Sequence, residues 1–275
     1  MLTSGVMDKR LLLKNFTRQH APHWEEPFRS WVDEEFPEQL PEKASLLELC
    51  CSDGGLTRLV AERLPEGGRL IATDDIRELM DLARQQLGQA IGKKVFFKRE
   101  TPEELSFAPA TFDGIYCAGL PPAYRLDRVL AESSRLLRKD GFLLLGVAMQ
   151  GSFCELLDVF REVLEKEDLI SAQDELDRLL ERFPRRGQLQ RLLSAHGFID
   201  GRIKQRTYTM KFERGLELVS SVLVQRHCLE ACLELIADRG WREGILAGMV
   251  RSLDTYFPGG IELTIEMGRL QADKL

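Results

Sequence analysis

The chain contains 275 residues, of which 44% are hydrophobic and 30% are charged, with a formal net charge of −6 at pH 7. This composition is typical of a folded globular protein and not of a disordered chain, and the acidic balance argues against a nucleic-acid partner, which requires a basic face. Residues 1–10 lack the apolar core of a signal peptide, and no run of about 18 apolar residues could span a bilayer. We therefore predict a cytoplasmic protein that binds neither nucleic acid nor a membrane.

The six cysteines are expected to be reduced thiols in that compartment. Cys228 and Cys232 share a predicted helix face, and His227 is their neighbour in sequence but points off that face. Because no further cysteine completes a set of ligands, small buried residues explain the pair better than a metal ion does. The sequence therefore predicts no metal site.

Residues 1–40 are rich in charged and aromatic side chains, and the spacing of Phe28 and Trp31 predicts helices that pack against the edge of the core. The same segment contains His20, His23 and Trp24. Two imidazoles near an indole can provide a general base or an aromatic wall for a cation. The alternative is a surface helix whose aromatic side chains only pack.

Residues 45–70 predict the arrangement that organises the fold. A short apolar run ends in Glu48, a turn of small residues follows at 50–55, and an amphipathic helix begins near Leu56. Strand, small-residue turn and helix in this order form the first half of a βαβ unit. A nucleotide-like ligand docks at such a turn, because small residues let the backbone approach it and the free N–H groups of the helix start face it.

A second strand, at residues 69–74, ends in acidic residues. Asp74 and Asp75 lie roughly 20 residues after the small-residue turn, where dinucleotide-binding folds place the acid that binds a ribose. A carboxylate suits this place because it accepts hydrogen bonds from two hydroxyl groups at once. The sequence therefore predicts a ribose-binding acid here, followed by a helix at 78–87.

The remainder of the chain predicts further elements of the same α/β type. In the first half these are strands at 95–99, 112–117 and 142–147 and a helix at 126–137. After residue 150, helices are predicted at 154–169, 172–183 and 188–195, and strands at 198–212 and 259–271. Residues 213–257 form a predicted helical insertion between these two strands, with helices at 216–230, 234–238 and 242–253.

The segment that begins at Glu48 resembles the glycine motif of the class I S-adenosylmethionine-dependent methyltransferases, which reads acid-x-Gly-x-Gly-x-Gly. Cys50 and Ser52 stand at the first two glycine positions, and Gly54 is the third glycine. The resemblance implies an α/β fold with a Rossmann-like, doubly wound seven-stranded sheet and an antiparallel closing hairpin. It also implies one domain with a helical lid at 1–40, a cofactor-binding core at 41–150 and a C-terminal half at 151–275 that carries the insertion.

The cofactor implied by the resemblance is S-adenosyl-L-methionine. The binding positions of the family fall on Glu48, Cys50, Cys51, Ser52, Gly54, Asp74, Asp75, Ile76, Thr101, Pro102 and Cys117. Asp74 matches the ribose acid and places Asp75 where an apolar residue is usual, but a shift of one residue makes Asp75 the acid and Ile76 its apolar neighbour. Both registers stay open. Thr101 lies where the family binds the adenine amine, and its single hydroxyl leaves recognition to backbone groups.

The loop at residues 118–124 follows the fourth strand and lines the reaction centre in the family. It lacks the asparagine of the amine-methylating signature, so Tyr124 is predicted to shape the acceptor pocket or donate a hydrogen bond, with a structural turn as the alternative. In the family the N-terminal arm closes over the cofactor. His23 and His20 are therefore the candidate bases.

The resemblance implies methyl transfer from S-adenosylmethionine to a small-molecule acceptor. The alternative is a catalytically inactive, methyltransferase-like binding or scaffold protein, supported by the two missing glycines, by Asp75 at an apolar place and by the absence of an acid at Thr101. A nicotinamide-dependent dehydrogenase fits less well, because its Gly-x-Gly-x-x-Gly spacing is absent. The apolar helices of the insertion are equally suited to a subunit interface, so a homodimer is a further possibility.

Overall fold

The structure is a computed structural model that describes residues 14, 16–17, 26–88, 91–118 and 121–275. The elements of the first half of the chain are α1 (Glu26–Asp33), β1 (Ser45–Glu48), α2 (Gly55–Arg63), β2 (Arg69–Asp74), α3 (Arg77–Leu87), β3 (Val95–Arg99), β4 (Phe112–Cys117), a 3-10 turn (Ala123–Arg125), α4 (Leu126–Leu136) and β5 (Leu137–Ala148).

The second half contains a helical stretch on each side of the strand β6. Its elements are α5 (Cys154–Lys166), α6 (Ile170–Leu180), α7 (Arg186–Ala195), β6 (Phe198–Phe212), α8 (Gly215–Val219), α9 (Val222–Val224), a π-helical turn (Gln225–Leu229), α10 (Glu230–Glu234), α11 (Arg239–Tyr256) and β7 (Ile261–Lys274). No helix in the described part of the chain is both long and apolar enough to cross a membrane.

The strands form one seven-stranded sheet in the order β3-β2-β1-β4-β5-β7-β6. β1 pairs in parallel with β2 and β4, β2 pairs in parallel with β3, and β4 pairs in parallel with β5. The sheet ends in an antiparallel hairpin. The predicted doubly wound α/β fold is therefore confirmed, and the loops after β1, β2, β3 and β4 meet at one edge of the sheet, where such folds bind ligands.

The central strand β1 is buried along its whole length. Leu46 and Leu47 point to opposite faces of the sheet, and both are fully buried. This explains why the strand is a continuous apolar run rather than an alternating one, because strands of a parallel sheet are covered on both faces. Glu48 is the acid in which this run ends, at the edge of the sheet where ligands bind.

Two compact units make up the chain. The larger unit contains Trp24–Val147, Arg185–Gln205 and Gly268–Leu275, and it includes the parallel strands β1 to β4. The smaller unit contains Met1–His23, Ala148–Pro184 and Arg206–Met267, and it includes the helices of the predicted insertion. All of the predicted cofactor-binding residues belong to the larger unit.

β5 begins five residues earlier than the sequence predicts, at Leu137 instead of Phe142. The intervening residues, predicted as a turn, form an irregularity within the strand: Asp140 has a φ of 61°, and the pairing with β4 shifts register between Phe112 and Gly114. Between these pairs, four residues of β5 (138–141) lie opposite a single residue of β4, Asp113, and extra residues in one strand produce such a bulge. Residues 138–141 therefore do interrupt the regular strand geometry, as predicted, but β5 continues through them.

The predicted helix at 216–230 was wrong as a single element. It is interrupted at Ser220 and Ser221, and Ser221 has an extended ψ of 134° at the start of α9. Serine side chains compete with the backbone for hydrogen bonds and favour helix ends. The predicted helix at 234–238 is also absent, because Asp238 caps the start of α11 by accepting a hydrogen bond from Gly240 N at 2.8 Å.

Candidate functional site

The turn after β1 has a left-handed backbone at every second residue. The φ angles of Cys50, Ser52 and Gly54 are 51°, 54° and 81°. These are the three positions at which the resembling family has glycine, and an L-residue with a side chain pays roughly 1–2 kcal/mol for this conformation. The left-handed backbone occurs at all three of these positions, although only one of them is glycine.

Asp74 fixes this turn from the neighbouring strand. Its Oδ2 accepts a hydrogen bond from Ser52 N at 3.0 Å, and its Oδ1 accepts one from Ile76 N at 2.9 Å. The side chain is only 1% exposed. A third bond, from Cys51 N to the Thr73 carbonyl at 2.9 Å, ties the same two segments together. Asp74 thus stabilises the turn and links it to the end of β2.

Asp75 differs from Asp74 in its surroundings. It is half-buried, and Ile76, which follows it and caps the start of α3, is half-buried too. The sequence left two registers open, and in the second of them Asp75 is the ribose acid and Ile76 is its apolar neighbour. A partly exposed acid followed by a partly exposed apolar residue matches that register. Asp75 is thus the more exposed of the two acids.

Glu48 is a buried carboxylate at the end of β1, 1% exposed. The Tyr116 hydroxyl donates to its Oε2 at 3.3 Å, and the Thr73 hydroxyl donates to its carbonyl at 2.8 Å. Burial, and then the negative charge of Glu48, raise the pKa of Tyr116 well above its ordinary value of 10.0. The phenol therefore remains protonated and holds the carboxylate in place. Sequence reasoning missed Tyr116, although a tyrosine in an apolar strand beside a buried acid was an available signal.

The start of α2 is packed from two sides. A Cβ on Gly54 would lie 2.7 Å from the Cβ of Ala83 on α3, so this close approach requires glycine. A Cβ on Gly55 would lie 1.6 Å from Nη1 of Arg29, so the guanidinium of α1 rests directly on this residue. Sequence reasoning also missed Arg29, because nothing local links it to a residue 26 positions away.

Two further loops reach the same edge of the sheet. Thr101 is exposed and Pro102 is buried after β3, while Cys117 is fully buried at the end of β4. Tyr124 lies half-buried in the 3-10 turn, with the guanidinium of Arg125 5.5 Å from its ring centre.

Arg125 also links these two loops through an ion pair with Glu103, whose side chain is only 9% exposed. The pair joins the loop after β3 to the loop after β4. Glu103 is a further residue that the sequence analysis did not select. Glu104, which follows it, is also acidic, so the sequence gave no means of choosing between these two residues.

Two predicted site residues cannot be located. His20 and His23 lie outside the described residues, as do residues 119–120 of the loop before Tyr124. Within the described ranges no group of three or more His, Cys, Asp or Glu side chains is arranged to hold a metal ion. Cys228 and Cys232 are buried with their sulfur atoms 3.9 Å apart, and the hydrogen bond between them, followed by burial, raises the pKa of the Cys228 thiol well above its ordinary value.

Residues 46–141 match the sequence-family model described as "Methyltransferase domain". A 2-phytyl-1,4-naphtoquinone methyltransferase from Thermosynechococcus vestitus is 31% identical over 119 residues, which cover 43% of this chain and 49% of that protein. A demethylmenaquinone methyltransferase from Bacteroides fragilis is 26% identical over 205 residues, which cover 70% of this chain and 77% of that protein. The chain thus spans about half the length of the first relative.

A solved structure of Haemonchus contortus phosphoethanolamine N-methyltransferase 2, in complex with S-adenosyl-L-methionine, is 14% identical to this chain. The likeness covers 97% of this chain and 56% of that one, with a TM-score of 0.54. At this identity the likeness concerns the fold alone. Residues 46–141 are therefore similar in sequence to a methyltransferase domain, and the chain has the Rossmann-like α/β fold seen in the solved methyltransferase structure.

Proposed function

We propose that this chain transfers a methyl group from S-adenosyl-L-methionine to a small-molecule acceptor. The observation that carries the proposal is the turn at 50–55, whose three left-handed residues fall at the positions where the resembling family has glycine. An accessible acid, Asp75, follows the adjacent strand β2. A turn of small residues beside a ribose-binding acid is suited to an adenosyl group.

The residues present fit this cofactor. The left-handed turn at Cys50, Ser52 and Gly54 lies after β1, and Asp75 follows the adjacent strand β2; we assign the Asp75 carboxylate to the ribose hydroxyls, since it can accept from both. Ile76 supplies an apolar surface beside the acid, which suits the face of the adenine. The same site has further candidate residues at the ends of the neighbouring strands. Thr101 and Pro102 lie in the loop after β3, and Cys117 is the last residue of β4. We assign these three residues to the wall of the site.

S-adenosylmethionine supplies an already activated methyl group when it is bound. The protein's own contribution is then to hold the two reactants in line and to exclude water. Glu48, held by Tyr116, fixes the end of β1 beneath the turn. Tyr124 and, in the segment outside the described residues, His20 and His23 are our candidates for the acceptor side, the histidines as bases that remove a proton from the acceptor.

The acceptor class we propose is a naphthoquinone-type compound in its reduced form. The support is the naming of the relatives as a phytyl-naphthoquinone methyltransferase and a demethylmenaquinone methyltransferase. A reduced quinone has acidic hydroxyl groups, and removal of a proton increases the nucleophilicity of the ring. This chemistry gives a base such as His20 or His23 a defined role.

The test is to incubate the whole chain with methyl-labelled S-adenosylmethionine and a reduced naphthoquinone that lacks its ring methyl group. We expect label in the extracted quinone, and none with the Asp75→Ala variant. Bound cofactor without transfer to the quinone would contradict the acceptor class. Failure to bind the cofactor at all would favour the alternative of an inactive, methyltransferase-like scaffold protein.

A further inference from the structure

The larger unit has a strongly basic segment at residues 185–205, which contains α7 and the start of β6. This segment has five basic residues and a single acid, Asp200, although the chain as a whole has a net charge of −6. Because β6 ends the described sheet, charges on it hinder pairing with the edge of another sheet. That role accounts for charges on β6, but it accounts neither for their common sign nor for the basic residues of α7.

A cavity of about 630 Å³ is lined by residues of α7 and β6. Its polar side chains are two arginines, a lysine and a glutamine: Arg186, Arg202, Lys204 and Gln190. No acid is among its lining residues in the described part of the chain, and all of those residues belong to the larger unit. None of the predicted cofactor-binding residues lines this cavity. It is therefore distinct from the turn at 50–55.

The protein does not neutralise the cations of this cavity. Among the described residues Arg186 has no hydrogen bond or ion pair, and the hydrogen bond of Arg202, at 3.0 Å, is to an uncharged amide oxygen. One carboxylate, that of Glu35, pairs with Lys204 and lies near Arg202, but it also pairs with Arg269 at 2.7 Å. A single negative charge shared in this way leaves the cavity with an excess of positive charge.

Two glycines shape the cavity. A Cβ added at Gly187 on α7 would meet nothing within 4 Å, so the space beside this residue is open. A Cβ added at Gly201 on β6 would lie 2.9 Å from Nε2 of Gln190, so glycine lets the amide lie against the strand. The cavity thus brings together two guanidinium groups, an ammonium group and an amide, all of which can donate hydrogen bonds.

This set of donors suits a phosphate group better than a carboxylate. A phosphate monoester carries about −1.5 to −2 charge at pH 7 and has three acceptor oxygens. A guanidinium binds phosphate through two parallel hydrogen bonds, and a lysine adds a point charge. We propose that the cavity lined by Arg186, Arg202 and Lys204 binds a ligand that carries a phosphate or diphosphate group. A soluble phosphorylated compound and a phospholipid headgroup share this chemistry.

Calorimetric titration of the whole chain with sodium pyrophosphate, at an ionic strength held constant with sodium chloride, tests the site with a soluble ligand. We expect one saturable site in the wild-type chain and about 5- to 10-fold weaker binding in Arg186→Gln, as for loss of one partly solvated charged contact. Arg191→Gln is the matched control, since Arg191 is an exposed arginine of the same helix that does not line the cavity. It should bind pyrophosphate as the wild type does.

Gly187→Asp provides a second variant, in which stability and binding are expected to change in opposite directions. An acid in the first turn of α7 stabilises the helix, and the open space beside position 187 accommodates the side chain. The same carboxylate neutralises part of the positive charge of the cavity. We therefore expect thermal stability at least equal to that of the wild type, together with loss of pyrophosphate binding. Undiminished binding in this variant would contradict the site.

Sedimentation with vesicles tests the phospholipid source. The two preparations are pure phosphatidylcholine and an equimolar mixture of phosphatidylcholine and phosphatidic acid. A headgroup ligand predicts that the wild-type chain and Arg191→Gln sediment with the mixed vesicles alone, and that Arg186→Gln does so much less.

The outcomes decide both the site and its source. Binding of either probe that Arg186→Gln weakens and Arg191→Gln does not supports the proposal and identifies the source. Binding of neither probe, or an equal loss in the two arginine variants, overturns it. The proposed methyl transfer does not depend on any of these results.

Discussion

At the scale of single residues, the turn at 50–55 has a left-handed backbone at positions whose side chains disfavour that conformation. Cys50 and Ser52 both have positive φ angles although neither is glycine. The bond from Ser52 N to Asp74 keeps Ser52 in this conformation. Strain of this kind persists where surrounding contacts determine the backbone, and it concentrates at ligand-binding sites.

A pair of variants at position 52 measures this strain. Ser52→Ala and Ser52→Gly both remove the hydroxyl and differ only in the Cβ. We expect the glycine variant to be more stable by about 1 kcal/mol, because the left-handed cost outweighs the entropic cost of glycine. Urea denaturation of the two variants measures the difference. An alanine variant as stable as the glycine variant, or more so, would show that position 52 is not strained.

At the scale of elements, α1 is held in place within the larger unit by charged contacts around Arg269. This arginine is 2% exposed, donates to the Trp31 carbonyl and pairs with Glu34 at 3.1 Å and with Glu35 at 2.7 Å. Its guanidinium also lies 5.0 Å from the Trp31 ring centre. Because α1 carries Arg29, these contacts also hold the residue whose guanidinium lies against Gly55.

The same cluster predicts a dependence of stability on pH. A hydrogen bond from Lys204, together with the charges of Arg269, Lys204 and Arg202, lowers the pKa of Glu35 below its ordinary value of 4.5 against the opposing effect of burial. A carboxylate with a lowered folded-state pKa stabilises the protein above its unfolded pKa, and this stabilisation is lost as the pH falls through the folded-state value.

Glu35→Gln should therefore cost stability at pH 7 and cost progressively less below about pH 4.5. Thermal unfolding of the wild-type and variant chains across this range measures the effect. Asp158→Asn, an exposed acid on α5 of the smaller unit, serves as a control that should show little change. A stability loss of equal size at pH 7 and at pH 3 would contradict the assigned origin of the pKa shift.

At the scale of the whole molecule, the individual strands and helices followed from local patterns, whereas the seven-stranded sheet was predicted from the resemblance to a known family. The apolar run before Glu48, the small-residue turn and the acids at the end of β2 predicted the first βαβ unit, because each is a feature of neighbouring residues. The interruption at Ser220 and Ser221 was not predictable in the same way. A helix-compatible apolar pattern continues across the two serines.

The candidate site could be predicted only in part. The turn residues were named from sequence, but the hydrogen bond that ties Asp74 to Ser52, 22 residues away, was not predictable from it. The contact of Arg29 with Gly55 likewise depends on how two helices pack. Such contacts follow from tertiary structure, whereas local sequence specifies only the residue types that make them possible. The roles of His20, His23 and Tyr124 stay predictions.

The central claim is that the turn at 50–55 and Asp75 bind an adenosyl cofactor while Asp74 only braces the turn. Calorimetric titration with S-adenosylhomocysteine tests it most directly. We expect one site per wild-type chain with a micromolar dissociation constant, and affinity about 10- to 100-fold weaker in Asp75→Asn without loss of stability. Asp74→Asn should instead lower the free energy of unfolding by about 1–3 kcal/mol. No heat at millimolar ligand, or unchanged affinity in Asp75→Asn, would contradict the claim.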